Sequence, residues 1–513
     1  MPAAAIMFLI ALVAALTLTP VARRVALRLG AIDHALSSRK VHGRPIPRLG
    51  GLAIVLAFYL ALAVLALADE ATLALFVADR AQTASLLLGG LVIAGLGFHD
   101  DLHGATAGSK LVVEFAVAGL LYVGGFRIDV VALPFLEPIA LGWLSLPVTL
   151  LWIAGVINAI NLIDGLDGLA AGVSLVAAAA TGLLAAVGGN PLVVLLAAAL
   201  GGAALGFLRY NFNPASIFMG DTGSLFLGFV LAATSLRTHH DASTAVGLLA
   251  SALVLGLPIA DTALAIGRRA LRGAPLFRAD REHLHHRLLA SGLGHRGAVL
   301  VLYGASLLLS AAAVLLALGG GALDAAVVAT LAVACPAALW RLGVLRTPRL
   351  ATLFEERRRN LALRANLRHV RARLRRAADW SDAWLAVQQA AGLLGAGGVA
   401  LRIATSALGE TEASYSAGDA GDGLLCANSA LASGASAGSL EPRWRGRAAL
   451  DRDTEIALEI LSGDVGRALG RIQRRRRARR PAVPALVSPE PSVVRAERER
   501  VAGARYAASR SRK

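Results

Sequence analysis

Residues 147–188 read PVTLLWIAGVINAINLIDGLDGLAAGVSLVAAAATGLLAAVG. Two apolar runs, 147–163 and 169–188, flank a turn that carries Asp164, Gly165, Asp167 and Gly168. Each run is about the length a helix needs to cross the hydrocarbon core of a bilayer. Asn161 and Asp164 are three residues apart and share a face if the helix persists that far. Two Asp-Gly pairs in four residues break the helix and expose backbone amides to a ligand. Asn158, Asn161, Asp164 and Asp167 at the end of a span are costly unless satisfied. A turn with Asx caps does not need four such groups, so the stretch is a functional signal as well as a topological one.

The rest of the chain extends this reading. It is 56% hydrophobic and 17% charged with a mean hydropathy of +0.63, whereas a soluble protein carries about 25% charged residues. Eleven apolar runs lie near 3–21, 49–68, 81–98, 111–125, 147–163, 169–188, 192–208, 223–236, 245–266, 298–318 and 323–340. The expected fold is an all-α polytopic membrane protein of about eleven transmembrane helices, with a small cytoplasmic C-terminal α+β or partly disordered tail. The apolar N-terminal run has no basic residue before it and Arg23, Arg24 and Arg28 after it. It is expected to be a first span with its N-terminus outside, not a cleaved signal peptide. The only cysteines, Cys335 and Cys426, exclude a disulfide framework and a cysteine–zinc cluster.

With the N-terminus outside, the cytoplasmic loops hold sixteen Lys and Arg residues and the outside loops hold three. The positive-inside rule therefore sets the orientation. The polar motifs fall on the same cytoplasmic face. A transporter would place ionisable groups near the middle of the bilayer, so this crowding favours an enzyme working at the membrane surface. A transporter or lipid flippase is the competing class, favoured only if the acidic loops are structural.

Three further constellations join the Asp-Gly turn. Asp100 and Asp101 stand together at a helix end, followed by Lys110. Adjacent carboxylates repel unless a cation or proton is shared between them; the alternative is a solvated helix cap. Asp221 lies between two glycines in Gly220-Asp221-Thr222-Gly223-Ser224, placed for close approach of a phosphate or a hard cation. The segment His283-Leu284-His285-His286-Arg287 suits anion recognition through His and Arg donors better than zinc binding. Its alternative is a basic segment touching anionic lipid. Asp261, inside the ninth run and seven residues before Arg268, is either functional or in a structural pairing near the interface.

These motifs, with Arg39-Lys40-Val41-His42-Gly43-Arg44-Pro45-Ile46-Pro47-Arg48-Leu49-Gly50-Gly51, resemble one family. It is the polyprenyl-phosphate N-acetylhexosamine-1-phosphate transferases, membrane enzymes that start cell-envelope glycans. The likeness runs from about residue 30 to 297, with matching topology to about 340. One departure is Leu102-His103-Gly104, where many members carry a third acidic residue after the Asp pair. The resemblance implies attack by a polyprenyl-phosphate oxygen on the β-phosphorus of a UDP-sugar, with UMP leaving. It implies Mg²⁺, with Mn²⁺ as a substitute, held by Asp221 and Asn161. It assigns Asp100 and Asp101 to the catalytic pair, as nucleophile or as base or positioner. Asp167 would face the uracil, with Asp164 beside it. Lys110, His283, His285, His286 and Arg287 would contact the donor, and His42 and Arg48 the lipid phosphate. A phosphate monoester is largely a dianion at pH 7, so direct displacement without a base is the simpler course.

The histidine segment continues into Leu288, as in the branch that accepts simple UDP-N-acetylhexosamines rather than the muramyl-pentapeptide nucleotide. UDP-N-acetylglucosamine and undecaprenyl phosphate are the expected substrates. The expected setting is the bacterial cytoplasmic membrane, with membrane lipids and a homodimer as further partners. The domains are expected as a transferase body over 1–341, a basic helical linker over 342–380, an α+β, vaguely GAF-like module over 381–473 and a disordered basic tail over 474–513. Residues 341–513 carry +15 of the +17 net charge. Six of the seven residues from Arg474 to Arg480 are arginine; contact with anionic lipid is the preferred reading and nucleic-acid binding the rejected one.

Overall fold

The computed structural model describes residues 2–33, 45–131, 137–238, 247–271, 273, 283–320, 322–343, 350–404, 411–418, 424–427, 429–433, 436–445, 450 and 452–479. The chain divides into two compact units, Met1–Leu350 and Ala351–Lys513.

The first unit is a helical bundle. It runs α1 (Pro2–Leu29), β1 (Ile32–Asp33), β2 (Ile46–Pro47), α2 (Gly51–Ala68), α3 (Glu70–Ala78), α4 (Arg80–His103) and α5 (Ala107–Val123). There follow β3 (Val130–Val131), β4 (Ile139–Ala140), α6 (Ser145–Ile163), α7 (Leu169–Val187), α8 (Pro191–Asn211) and α9 (Gly220–Ser235). The last helices are α10 (Gly247–Val254), α11 (Gly256–Leu271), α12 (Leu284–Ala290), α13 (His295–Leu318) and α14 (Ala322–Arg341). Every one of the eleven apolar runs falls on a helix or helix pair. Among the described residues, eight helices have the length and hydropathy to cross a membrane, or nine if the α10–α11 pair is one span. The two others, α5 and α9, are short, at 17 and 16 residues.

The ninth run is not the single straight span its hydropathy suggested. It bends by 80° between α10 and α11. Gly256 weakens the helix there, and Pro258 has no N–H to offer the preceding turn. The stretch between the second and third apolar runs also proves to contain α3, begun by Asp69, whose carboxylate accepts the Thr72 N–H at 3.0 Å.

Helix α9 occupies the centre. Every residue from Thr222 to Ser235 is buried, and α2, α4, α6 and α7 pack around it. All-round burial removes any need for an amphipathic stripe. Close approach of α2 to α9 depends on glycine: a Cβ on Gly51 would sit 2.1 Å from the Gly223 backbone nitrogen. Such small-residue contacts let helices pack where apolar side chains gain little from leaving lipid.

The second unit contains α15 (Leu350–Arg376), α16 (Trp380–Leu393), five strands and α17 (Arg452–Arg479). The strands are β5 (Gly398–Ala404), β6 (Thr411–Gly418), β7 (Leu424–Cys426), β8 (Ser429–Ser433) and β9 (Ser436–Arg445). They form an antiparallel sheet in the order β6-β5-β9-β7, with β8 also pairing with β9. Leu401, Leu440 and Trp444 from the sheet share one core with Val370, Val387 and Val465 from the helices. Helix α17 continues through Arg474 and Arg475 to Arg479, into the segment expected to be a disordered tail from 474.

Candidate active site

Four motifs converge at one end of the bundle, and helix ends explain the convergence. The first N–H groups of α9 have no partner within the helix. Asp101, at the end of α4, supplies one from outside. Its Oδ1 accepts the Asp221 N–H at 2.9 Å, and its Oδ2 accepts the Thr222 N–H at 3.0 Å and the Thr222 hydroxyl at 2.6 Å. A carboxylate is favourable at a helix N-terminus. Gly220 makes the approach achievable: its φ is +71°, and a Cβ there would lie 2.6 Å from Asp101 Oδ2. Arg48 Nη2 donates to the Asp101 carbonyl at 2.5 Å. The chain around Arg48 is tied to the same helix start, since Phe218 N–H donates to Pro47 O at 2.8 Å and Gly51 N–H to Met219 O at 2.8 Å.

Lys110, near the start of α5, joins the two acidic motifs. Its Nζ lies 2.9 Å from Asp100 Oδ2 and 2.6 Å from Asp221 Oδ2. Asp100 Oδ1 also accepts the Ala105 N–H. A single ammonium therefore holds two carboxylates that would otherwise repel.

The Asp-Gly turn forms the facing wall. Helix α6 ends at Ile163, with Asp164 as its C-cap, so Asn161 and Asp164 do not lie on one continuous helix. Asn161 donates to Ser224 Oγ at 2.9 Å. Asp167 Oδ2 accepts from Asn213 Nδ2 and from Ala215 N–H, both at 3.0 Å. Its other oxygen has no hydrogen bond among the described residues. The Asp167 N–H donates to His295 Nε2 at 3.0 Å, so that nitrogen is unprotonated. Asp164 is half-buried and, among the described residues, makes no side-chain hydrogen bond. Burial above all, and then the charges of Asp221, Asp101 and Asp167, push its carboxyl up to about 7.

The histidine segment packs against that turn. His285 is buried, and its Nε2 would lie 2.6 Å from a Cβ on Gly165. Burial, with His286 next in effect, pushes the His285 imidazole down to about 3. It is therefore a neutral group at physiological pH, able to offer an N–H but not a positive charge. His283 Nδ1 meets Asp261 Oδ2 at 2.9 Å. Asp261 thus bonds to the histidine segment.

Arg48, Asp101, Asp164, Asp167, Asp221 and His286 line one cavity of about 1020 Å³, together with Arg23, Asn211, Asn213 and His295. Asp100 and Lys110 stand behind Asp221 through the ion pairs. Asn161 meets the same helix start through Ser224. His283 and His285 brace His286, and Arg287 lies half-buried on α12. His42 lies outside the described residues. Sequence reasoning missed His295, which belongs to no short motif, and Glu114, which is fully buried and accepts from Asn158 Nδ2. Glu114 sits one helical turn after Lys110, a spacing that could have flagged it.

The donor set is chemically apt for a hard divalent cation, which favours oxygen ligands. Burial raises the Asp164 carboxyl most, and the neighbouring carboxylates of Asp221, Asp101 and Asp167 add to it; a bound cation would offset that second part. Among the described residues, no three His, Cys, Asp or Glu side chains are gathered around one point. A Mg²⁺ bound by one or two carboxylates commonly completes its shell with water and substrate phosphates.

The helices are long and apolar enough to cross a membrane, and acidic and basic side chains line a cavity at one end of their bundle. Residues 83–239 match glycosyl transferase family 4. The chain is 40% identical over 310 residues to a probable undecaprenyl-phosphate N-acetylglucosaminyl 1-phosphate transferase of Bacillus subtilis, covering 60% of this chain and 84% of that protein. It is 38% identical over 307 residues to a decaprenyl-phosphate N-acetylglucosaminephosphotransferase of Mycobacterium tuberculosis, covering 55% and 74%. It is 35% identical over 261 residues to a phospho-N-acetylmuramoyl-pentapeptide-transferase of Shouchella clausii, covering 47% and 75%. The chain belongs to glycosyl transferase family 4, and it is a multi-pass membrane phosphotransferase of the polyprenyl-phosphate sugar-1-phosphate type. The transporter and flippase readings are thereby set aside.

Proposed function

We propose that this enzyme transfers N-acetylglucosamine 1-phosphate from UDP-N-acetylglucosamine to undecaprenyl phosphate, forming the first lipid-linked intermediate of a cell-envelope glycan in a bacterial cytoplasmic membrane. The acceptor phosphate oxygen forms a bond to the β-phosphorus, the bond from that phosphorus to the UMP oxygen breaks, and UMP leaves with the electron pair. The observation that carries this reading is the Lys110 bridge between Asp100 and Asp221 at the mouth of a helix N-terminus. Phosphoryl transfer rests chiefly on positioning and on neutralising charge.

Asp221 and Asn161 are the residues that would hold Mg²⁺, with Mn²⁺ as a substitute. When bound, the ion would neutralise charge on the donor's phosphates. Lys110 adds a fixed positive charge beside Asp221. The free Asp167 oxygen suits the uracil N3–H, because the other is held by Asn213 and Ala215. His286 and His295, on the cavity wall, suit the phosphates, and Arg48 the acceptor phosphate.

Both aspartates of the pair are engaged by neighbouring groups. Asp101 is 4% exposed and both its oxygens accept hydrogen bonds from α9. Asp100 is held by Lys110 and the Ala105 N–H. This supports direct displacement, with Asp101 as a positioner. Isotope exchange between UMP and UDP-N-acetylglucosamine without any lipid acceptor would contradict it. The Arg287-Leu288 continuation supports the simple donor, and activity with only the muramyl-pentapeptide nucleotide would overturn that choice. The test of the whole reading is Mg²⁺-dependent UMP release by purified protein given UDP-N-acetylglucosamine and undecaprenyl phosphate. Release should be lost in Asp221→Asn and kept in Asp261→Asn.

A further inference from the structure

Asp261 does not line the cavity described above, yet it is 3% exposed within α11. A carboxylate at such a site is costly unless its oxygens are matched. Both are matched by the head of α12. Asp261 Oδ1 accepts the Leu284 N–H at 2.8 Å, and Oδ2 meets His283 Nδ1 at 2.9 Å. Leu284 opens α12 and His283 is its N-cap position, although no side-chain cap bond comes from His283 itself. Asp261 therefore caps α12 from another helix and fixes the ring of its first histidine in one stroke.

The consequence runs along the segment. The His283 and His285 rings are parallel to within 4°, with centroids 5.7 Å apart, and the His285 ring is 4.3 Å from that of His286. His285 rests on Gly165 of the Asp-Gly turn, and His286 lines the cavity. A helix of seven residues has little stability of its own. Its placement needs an external anchor, and α11 provides one on the far side of the 80° bend.

We infer that Asp261 is a positioning residue for the nucleotide donor, clamping the head of α12 so that His285 and His286 are held at the cavity. This rests on the proposed donor reading. The substitution Asp261→Asn can keep both contacts. Its amide oxygen can accept the Leu284 N–H while its NH₂ donates to His283 Nδ1 in the other imidazole tautomer. Asp261→Ala keeps neither.

The test uses the full chain in detergent, with UMP binding in Mg²⁺ and steady-state UMP release as two separate readouts. Asp261→Ala should weaken UMP binding and raise the KM for UDP-N-acetylglucosamine by about tenfold, the effect of losing roughly one hydrogen-bonded contact. The KM for undecaprenyl phosphate and kcat should stay within about twofold, since uniform donor binding is what is lost. Asp261→Asn should restore donor affinity to within about twofold of wild type. Unchanged UMP binding in Asp261→Ala, a loss of kcat alone, or an Asp261→Asn as weak as Asp261→Ala would each overturn the inference. If Asp261→Ala does not elute as folded protein, His283→Ala replaces it, because it leaves the Leu284 bond intact. The same tenfold loss is expected there, and unchanged affinity would overturn the inference. A wild-type protein that binds UMP but does not turn over UDP-N-acetylglucosamine would strike only the proposed reaction. One that does not bind UMP at all would overturn both.

Discussion

Lys110 is the residue on which the acidic cluster depends, because among the described residues it alone is paired with both Asp100 and Asp221. Lys110→Ala should lower turnover by about 10²–10³-fold, the usual loss when a preorganised charge is removed from a reacting group. Lys110→Arg should recover only part, since a guanidinium is planar and cannot reproduce a point charge between two carboxylates. UMP release is the measurement. Asp164 carries a pH signature. Its folded pKa of about 7 lies above the ordinary value of 3.8, so the folded state holds an extra proton between those limits. That contribution to stability is complete below about pH 4 and is lost as pH rises through about 7. The melting temperature of the wild type should therefore fall relative to Asp164→Asn across that window, and added Mg²⁺ should narrow the gap at pH 7. A gap that is flat with pH would contradict the assignment. The residues Asp100, Asp101, Asp164, Asp167 and Asp221 were legible because short motifs carry their chemistry. The partners His295 of Asp167 and Thr222 of Asp101 were not, because a contact between distant helices leaves no mark on local spacing.

At the scale of elements, the site hangs on how closely α2 can approach α9. Gly51→Ala would bring a Cβ to 2.1 Å from the Gly223 backbone nitrogen, and backbone cannot yield as a flexible side chain does. The expected cost is about 1–3 kcal/mol or more, with a lower melting temperature and loss of activity. Gly108, at the start of α5, has nothing within 4 Å of a built Cβ, so Gly108→Ala should be neutral or stabilising by about 0.4–1 kcal/mol. Equal effects at the two positions would contradict the packing described. Hydropathy located every long apolar helix because a membrane span is a matter of length and composition. It passed over the bend before Gly256, the helix α3 and the strands β6, β7 and β8. Their apolar periods are too short or too interrupted to stand out from loop sequence.

Across the whole molecule, the charge division has a structural counterpart. Residues 1–340, which carry +2, lie in the helical bundle with Asp101, Asp164, Asp167 and Asp221 on one cavity wall, and most of the +15 of residues 341–513 falls in the separate second unit. Every residue lining the cavity belongs to Met1–Leu350. A chain ending at Leu350 should therefore retain UMP release to within about threefold, a change too small to reflect loss of any group acting in the transition state. A loss beyond tenfold would assign the second unit a part in the reaction. That unit's sheet was only half legible, since β5 and the end of β9 alternate regularly while β6 and β8 are rich in Ser and Ala and β7 is three residues long. The most direct test of the central claim is UMP release from UDP-N-acetylglucosamine by the full-length protein with undecaprenyl phosphate, with and without Mg²⁺, beside Asp221→Asn. The expected result is release that needs both Mg²⁺ and the lipid acceptor and is abolished by the substitution. Release that is indifferent to Mg²⁺ or to Asp221, or no release from this donor, would contradict the account.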